Sequence, residues 1–321
     1  MSSETRPSTN NPTPSALKAD PHASSVVARD LKIEPYRVRS VATGLFGLDG
    51  GAMFGTVPKV LWERSNPADE QNRIAMEARA MLLDAGTTGK RILIDCGIGA
   101  DFNAKYGEKL GPKFTEIYSV SAGSGVEASL ARLGLKPEDI TDVILTHLHF
   151  DHAGGATKEV AGRLVPTFPN AKYYVQKSNL ETAQNPNLRE KASYFAANFK
   201  PLLDAGVLTL IDGEVNDLLP GVSVSVSNGH TRGHQMVKVS DGQSNLVYCG
   251  DLIPTSSHVR LAWVMGYDLE PLTLIEEKRR ILGPAAAGRW HLFFEHDPYM
   301  DAALVVEAKG DFTVAERLKL L

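Results

Sequence analysis

Cysteine is scarce in this sequence: 321 residues contain two, Cys96 and Cys249. Two thiols cannot form a disulfide framework, so the fold must be organised by a packed core. Both lie in apolar, strand-like runs, ILIDCG and LVYCGD, where cysteine serves as a small buried hydrophobe. They would pair only if the fold joined those strands. Long apolar runs are also missing. No stretch approaches the roughly 18 apolar residues of a membrane-spanning helix, so no membrane partner is expected. The N-terminus has no apolar h-region, and a cytoplasmic location follows from that pattern. There is no basic excess: 34 Lys and Arg stand against 38 Asp and Glu, a net charge of -4. The charges are scattered, as on a solvated surface, and the basic stripe of a nucleic-acid binder is lacking. A G-x-S-x-G elbow is absent too, so no serine nucleophile announces itself.

Hydrophobic residues make up 43% of the chain, enough for a sizeable core in one large domain or two small ones. Residues 1–32 begin MSSETRPSTNNPTPSALKADPHASS, rich in Ser, Thr, Pro and Asn. Such a segment buries too little apolar surface to offset its ordering entropy, which predicts a flexible polar tail over 1–32 and a folded domain over 33–321. YRVRSVATG reads as a strand, followed by a Gly-rich apolar loop, LFGLDGGAMFGTVPKVLWER. RIAMEARAMLLDAGTTGKRILIDCG reads as two strands joined at Gly86–Gly89. The turn GTTGK lacks the GxxxxGK[ST] spacing of a phosphate loop and leads into a strand, so a hairpin is expected. GVEASLARLGL has helical spacing, with Val126, Leu130 and Leu133 on one face. YYVQ is a short strand, Leu188–Leu203 reads as mostly helical, and VLTLID, VSVSVS, MVKVSD and LVYCGD form a strand series. Leu272–Leu282 is an amphipathic helix, and WHLFFEHD is the last clear strand before a mixed tail. Strands with interspersed helices in two halves suggest α/β layers, sheets inside and helices outside.

The chemistry concentrates in THLHFDHAGG, after the apolar run Val143–Leu145. His147, His149, Asp151 and His152 put three imidazoles and a carboxylate within six positions. These are good donors for zinc and related divalent ions. Gly154 and Gly155 support the turn that follows. A plain surface loop would rarely collect this set at a strand end. Four donors from one loop cannot fill two coordination spheres, and three later strands each end in a further candidate: His230 in SNGHTRGH, Asp251 in YCGD and His296 in FFEHD. Each alone would be weak, since a single strand-end histidine is more often structural. Together they describe a site assembled at one edge of a sheet.

HxHxDH, then a GHTxGH-like element, then an Asp in a GD step, then a late His, resembles the metallo-β-lactamase superfamily. The resemblance runs from about Ile33 to Asp297. It implies an αββα four-layer sandwich and two divalent ions. One would be held by His147, His149 and His230, and the other by Asp151, His152 and His296, with Asp251 bridging both. It makes His234, the second His of GHTRGH, a supporting residue outside the ligand set. Zinc is the default for such donors, and iron, manganese or cobalt would fit them. A hydroxide shared by the ions would attack the substrate, with Asp151 and Asp251 as the catalytic carboxylates and Asp151 able to pass a proton to the leaving group.

HLHFDHAGG with a late FEHD is similar to quorum-quenching lactonases and organophosphate and aryl-ester hydrolases. A lactone or other carboxylic ester is therefore the expected small-molecule substrate. Acyl-homoserine lactonases of this family often carry a tyrosine three residues after the bridging Asp; here that position is Pro254. His258 or Tyr267, in SSHVRLAWVMGYD, stands as a candidate in its place, and Met53, Phe54 and Trp62 as candidate pocket walls. The alternatives are an organophosphate triester hydrolase, a β-lactamase, a nucleic-acid processing hydrolase and a non-enzymatic metal-binding module. β-Lactamases are usually exported, nucleic-acid processing would require a basic surface, and a complete donor set argues against a binder without activity. Flavin-dependent relatives carry Glu in place of the second His of HxH, here His149. Family resemblance also suggests a homodimer.

Overall fold

The strands begin earlier than the sequence suggests. A computed structural model describes residues 25–86, 89–121 and 125–321, and most of the segment expected to be tail, 1–24, lies outside the described residues. The remainder of that segment is strand: β1 (Val26–Arg29) pairs in parallel near the C-terminus, and β2 (Leu31–Ile33) pairs with the strand after it. Leu31 and Ile33 are buried on one face, which a composition-based reading of 1–32 could not resolve.

β3 (Tyr36–Asp49) and β4 (Arg73–Asp84) form a long antiparallel pair, and β5 (Arg91–Ile94) returns after the expected hairpin, whose Gly89 N–H donates to the Gly86 carbonyl at 3.0 Å. The loop expected after YRVRSVATG is instead the second half of β3, followed by short helices α1 (Gly50–Phe54) and α2 (Lys59–Trp62). Alternation of buried and part-buried positions continues through a bulge in β3, which explains why the strand reads as broken. Next come α3 (Phe102–Tyr118), which the sequence reading missed, and α4 (Val126–Arg132). Pro112 and a non-helical Gly107 inside α3 obscure its period.

β6 (Asp142–Ile144), the four-residue α5 (Phe150–Ala153), the hairpin β7 (Thr157–Val160) and β8 (Arg163–Pro166), and β9 (Lys172–Gln176) follow. The helix expected over 188–203 is displaced. α6 spans Lys177–Gln184, most of 185–199 is turn and loop, and α7 covers only Lys200–Asp204. The second half contains β10 (Leu208–Ile211), β11 (Val215–Leu219), β12 (Val222–Ser227), β13 (His234–Ser240), β14 (Asn245–Tyr248), α8 (Pro271–Gly288) and β15 (His291–Phe293). The expected mixed tail is an antiparallel pair with a register shift at Leu304–Val305, β16 (Ala302–Ala308) and β17 (Asp311–Leu320).

These strands make a seven-stranded sheet, β10-β9-β6-β5-β4-β3-β2, and an eight-stranded sheet, β1-β17-β16-β15-β14-β13-β12-β11. Met81, Leu83, Ile92 and Ile144 of the first pack against Val222, Val237, Tyr248 and Phe293 of the second. Alternate residues point outward: Leu82, Leu93 and Val143 pack under α4 and α7, and Val247, Leu292 and Ala303 under α8. The layers are therefore the αββα sandwich that the resemblance implies. Both cysteines are buried and free. Among the described residues no helix is long and apolar enough to cross a membrane.

β5, β6 and β9 run parallel, as do β14 and β15, and β12 shares the direction of β14 because both are antiparallel to β13. The carboxyl ends of β6, β12, β14 and β15 therefore open on one edge of the sandwich, where open α/β sheets form their sites. A buried lysine braces that edge. Lys105 on α3 donates to the carbonyls of Gly154 and, at 2.6 Å, Thr157. Burial pushes its ammonium down to about 8, against the pull of Asp101. Because the folded pKa lies below the unfolded value, Lys105 disfavours folding most below about pH 8, and the deficit disappears as pH rises toward 10.5. Lys105→Met removes this dependence but strands two carbonyls. A loss of about 1–3 kcal/mol is expected at neutral pH, read from urea midpoints, and it should grow between pH 8 and 10.

Candidate metal centre

β6 delivers the chain into the site. Leu148 points into the core under the helices, so its neighbours His147 and His149 both turn the other way. The Asn179 side chain accepts from the Leu148 N–H at 2.9 Å and fixes this turn. α5 then presents Asp151 and His152 from its first turns. Gly154 and Gly155 do not act through a special backbone conformation. Gly154 is α-helical, with φ -58°. What it permits is contact: a Cβ on Gly154 would lie 1.9 Å from the Ile98 carbonyl oxygen, and one on Gly155 2.2 Å from that of Cys96.

The seven candidate ligands converge in two groups. His147, His149, His230 and Asp251 form one and Asp151, His152 and His296 the other, with donor atoms in each group within 4.8 Å of one another. His149 Nδ1 lies 2.9 Å from His147 Nε2 and 3.3 Å from His230 Nε2. His296 Nε2 lies 3.3 Å from His152 Nε2. Asp251 stands between the groups, with Oδ2 3.0 Å from His230 Nε2 and 3.5 Å from His152 Nε2, and Oδ1 3.2 Å from His296 Nε2.

The far side of each ring shows which nitrogen is free. His147 Nδ1 faces the Thr146 hydroxyl at 3.1 Å, His230 Nδ1 the Asp268 carboxylate at 2.9 Å, and His296 Nδ1 the Glu77 carbonyl at 2.9 Å. His152 Nδ1 lies 2.8 Å from Glu295 and 3.0 Å from Asp95. Each outer nitrogen thus donates its proton outward, leaving the inner lone pair directed into the cluster. Lone pairs this close repel unless a cation lies among them. Asp251 Oδ1 is buried without a hydrogen-bond partner among the described residues. Both observations fit a bound divalent ion in each group.

Electrostatics agree with the geometry. Burial would raise the Asp251 carboxyl, but His152, His230 and His296 hold it well below its usual range. Burial would depress His230 and His296, yet Asp251 overrides it and lifts them to about 10 and about 9. In the metal-free protein, protons on these rings stand where cations belong. Loading a metal must displace them, so affinity should fall with pH.

Residues 77–305, more than half of the chain, match the family model of the metallo-beta-lactamase superfamily. The chain belongs to that superfamily. It has the fold and the donor clusters of a metal-dependent hydrolase. A probable metal-dependent hydrolase from Staphylococcus aureus is 30% identical, with a TM-score of 0.78 covering 90% of this chain and 100% of that one. An N-acyl homoserine lactonase from Bacillus cereus is 35% identical over 118 residues, 37% of this chain and 40% of that protein. One from Bacillus thuringiensis is 29% identical over 164 residues, 56% of its length. The chain thus spans about half the length of the curated relatives it matches. A dizinc quorum-quenching lactonase, in complex with a product N-hexanoyl-L-homoserine, shares the fold at a TM-score of 0.70 and 19% identity, covering 90% of this chain and 97% of that one.

A cavity of about 230 Å³ adjoins the clusters, reaching His149, Asp151, His230, Asp251 and His296. Of the five expected wall residues, Met53 and Tyr267 line it. Phe54, Trp62 and His258 do not. They form a buried stack behind it, with Phe54 5.2 Å from Trp62 and 4.8 Å from His258 between ring centroids. Both His258 nitrogens are engaged, by Thr255 and the Met53 carbonyl, and burial pushes the ring down to about 3. It is a neutral structural spacer.

The sequence reading missed Glu190, Asp268, Asp95 and Glu295. Glu190 lines the cavity 3.9 Å from His149 Nε2 and accepts from Thr231. Glu295, beside His296 in FFEHD, was the one of these with a local signal.

His234 lies outside both clusters and accepts the Asp251 N–H at Nε2, 3.0 Å away. Gly250, with φ +50°, makes room: a Cβ there would lie 2.5 Å from that nitrogen. His234→Ala should weaken metal retention by about 10–100-fold through a displaced Asp251, and His230→Ala by more. Equal loss in both variants by elemental analysis would contradict this ranking.

Proposed function

We propose that this chain is a dinuclear metal-dependent hydrolase of lactones or other carboxylic esters. Asp251 carries the proposal: one carboxylate lies within 3.5 Å of imidazole nitrogens of both groups, His230 in one and His152 and His296 in the other, and its Oδ1 has no hydrogen-bond partner among the described residues. In this reading His147, His149 and His230 hold one ion, Asp151, His152 and His296 hold the other, and Asp251 is shared. When bound, two such ions, zinc by default, lower the pKa of water to about 7 and polarise the electrophile, supplying a hydroxide nucleophile at neutral pH.

The protein's own groups do the rest. Thr146, Asp268, Glu295 and the Glu77 carbonyl fix the rings, so the site needs little reorganisation. Asp151 borders the cavity and is placed to move a proton to the leaving oxygen. Burial raises the Tyr118 and Tyr267 phenols, with Asp151 adding to each. Both therefore remain neutral O–H donors at the cavity wall, suited to an ester carbonyl. Leu48, Met53, Phe150 and Met265 give that wall an apolar stretch for an acyl chain. The matched lactonases support the same class.

The test is a substrate panel on metal-loaded protein: acyl lactones of several chain lengths, aryl esters, an organophosphate triester, a β-lactam and RNA. Lactones or aryl esters should give the highest kcat/KM. Activity confined to the triester, the β-lactam or RNA overturns the substrate class. An unchanged pH–rate profile in a metal-retaining Asp151→Asn variant overturns the proton-transfer role.

A further inference from the structure

Behind the aromatic stack lies a second cleft, of about 320 Å³. Three arginines, Arg64, Arg260 and Arg317, line it together with the hydroxyl-bearing Ser256, Ser257 and Thr313, and no carboxylate is among its lining residues. On a chain whose acids outnumber its bases this is an unusual gathering. Arg29, Arg37, Arg73, Arg79 and Arg91 each lie within 3.3 Å of a carboxylate. Among the described residues, Arg64, Arg260 and Arg317 form no ion pair, and the buried Nε of Arg317 has no hydrogen-bond partner.

The cleft is also held in shape. The Arg260 guanidinium lies 4.6 Å from the centre of the Trp263 ring. Lys278 clamps the same loop by donating to the carbonyls of Arg260 at 2.6 Å and Trp263 at 2.9 Å. Arg317 projects from β17, a strand paired on both sides. Like charges brought together on rigid elements repel unless an anion joins them. Trp263 lines this cleft and abuts Phe54 at 5.6 Å, and Met53, the residue before Phe54, lines the metal-side cavity. The two spaces are thus back to back and separate.

We propose that this cleft is a binding site for a small phosphate-class oxyanion, either free phosphate or a phosphate monoester, held by Arg64, Arg260 and Arg317. Planar guanidiniums match phosphate oxygens in paired hydrogen bonds, and Ser256 and Thr313 offer further donors. The volume suits a small molecule. The assignment does not depend on what the metal centre hydrolyses.

The test is calorimetric titration of metal-loaded protein with inorganic phosphate and, separately, glycerol phosphate, with chloride at equal ionic strength as control. Saturable binding is expected, weakened about tenfold or more by each of Arg64→Gln, Arg260→Gln and Arg317→Gln. Binding should persist in Asp251→Ala, which separates this cleft from the metal centre. Tighter binding of glycerol phosphate identifies a monoester ligand, and tighter phosphate identifies the free ion. Two results overturn the proposal: no saturable binding by the unaltered protein up to roughly 10 mM, or unchanged affinity in the arginine variants. Arg64 is exposed, so its substitution leaves folding intact and gives a decisive reading by itself.

Discussion

Asp251→Ala is expected to strip both ions and lower turnover by well over 100-fold, since changes merely adjacent to metal ligands already cost about 10–100-fold. The size of the effect follows from position. Asp251 lies within 3.9 Å of ring nitrogens on His147, His152, His230 and His296. Its removal withdraws the only carboxylate in the first donor group and leaves that group as three converging imidazoles. It also releases the two rings that Asp251 lifts to about 10 and about 9. Without that partner, burial should drive both toward the neutral form, so the metal-free variant should take up fewer protons than the metal-free parent. Asp251→Asn keeps the shape and one oxygen acceptor but loses the charge, and should fall between. Elemental analysis paired with steady-state rates reads both quantities. Two ions retained in Asp251→Ala would refute the shared-ligand assignment.

Gly154→Ala should be among the most damaging single added methyls at the described glycines. The added carbon would lie 1.9 Å from the Ile98 carbonyl oxygen and 2.5 Å from its carbon, both backbone atoms. The backbone angle is no obstacle, because φ of -58° suits alanine better than glycine. The whole effect is therefore steric. Relief requires moving the His147–His152 loop away from the end of β5, which disturbs both donor groups. A loss of at least about 3 kcal/mol is expected, at the upper end for overpacking, together with loss of metal. Gly283→Ala is the internal comparison. It lies within α8 with nothing within 4 Å of the added carbon, and should stabilise by about 0.5–1 kcal/mol. Urea midpoints of the two variants should move in opposite directions.

Much of the site was written locally. His147, His149, Asp151 and His152 fall within six residues, and His230, Asp251 and His296 each close an apolar strand. Donor type and strand-end position are both sequence properties, so the seven residues were legible before any fold was known. The layer order was legible too, because alternation and helical period mark which faces are buried. Where the period was interrupted the reading failed. A bulge split β3, Gly107 and Pro112 masked α3, and the β16–β17 pair was read as a tail.

What remained hidden depends on contacts between distant segments. Asp95 reaches His152 across 57 residues, Asp268 reaches His230 across 38, and Glu190 reaches Thr231 across 41. Acidic residues are common, and nothing local separates one that orients a ring from one on the surface. The same holds for the aromatics. Phe54 and Trp62 are apolar enough for a pocket wall, but which side of the wall they occupy depends on how α1 and α2 dock. The sequence alone marked a candidate metal centre and the donor residues that would build it, because ligand chemistry belongs to side-chain type. Only the tertiary structure decided that Asp251 lies between the two donor groups, which rings are braced and by what, and where the cavities open. Those are properties of distance, which strand pairing and layer packing set.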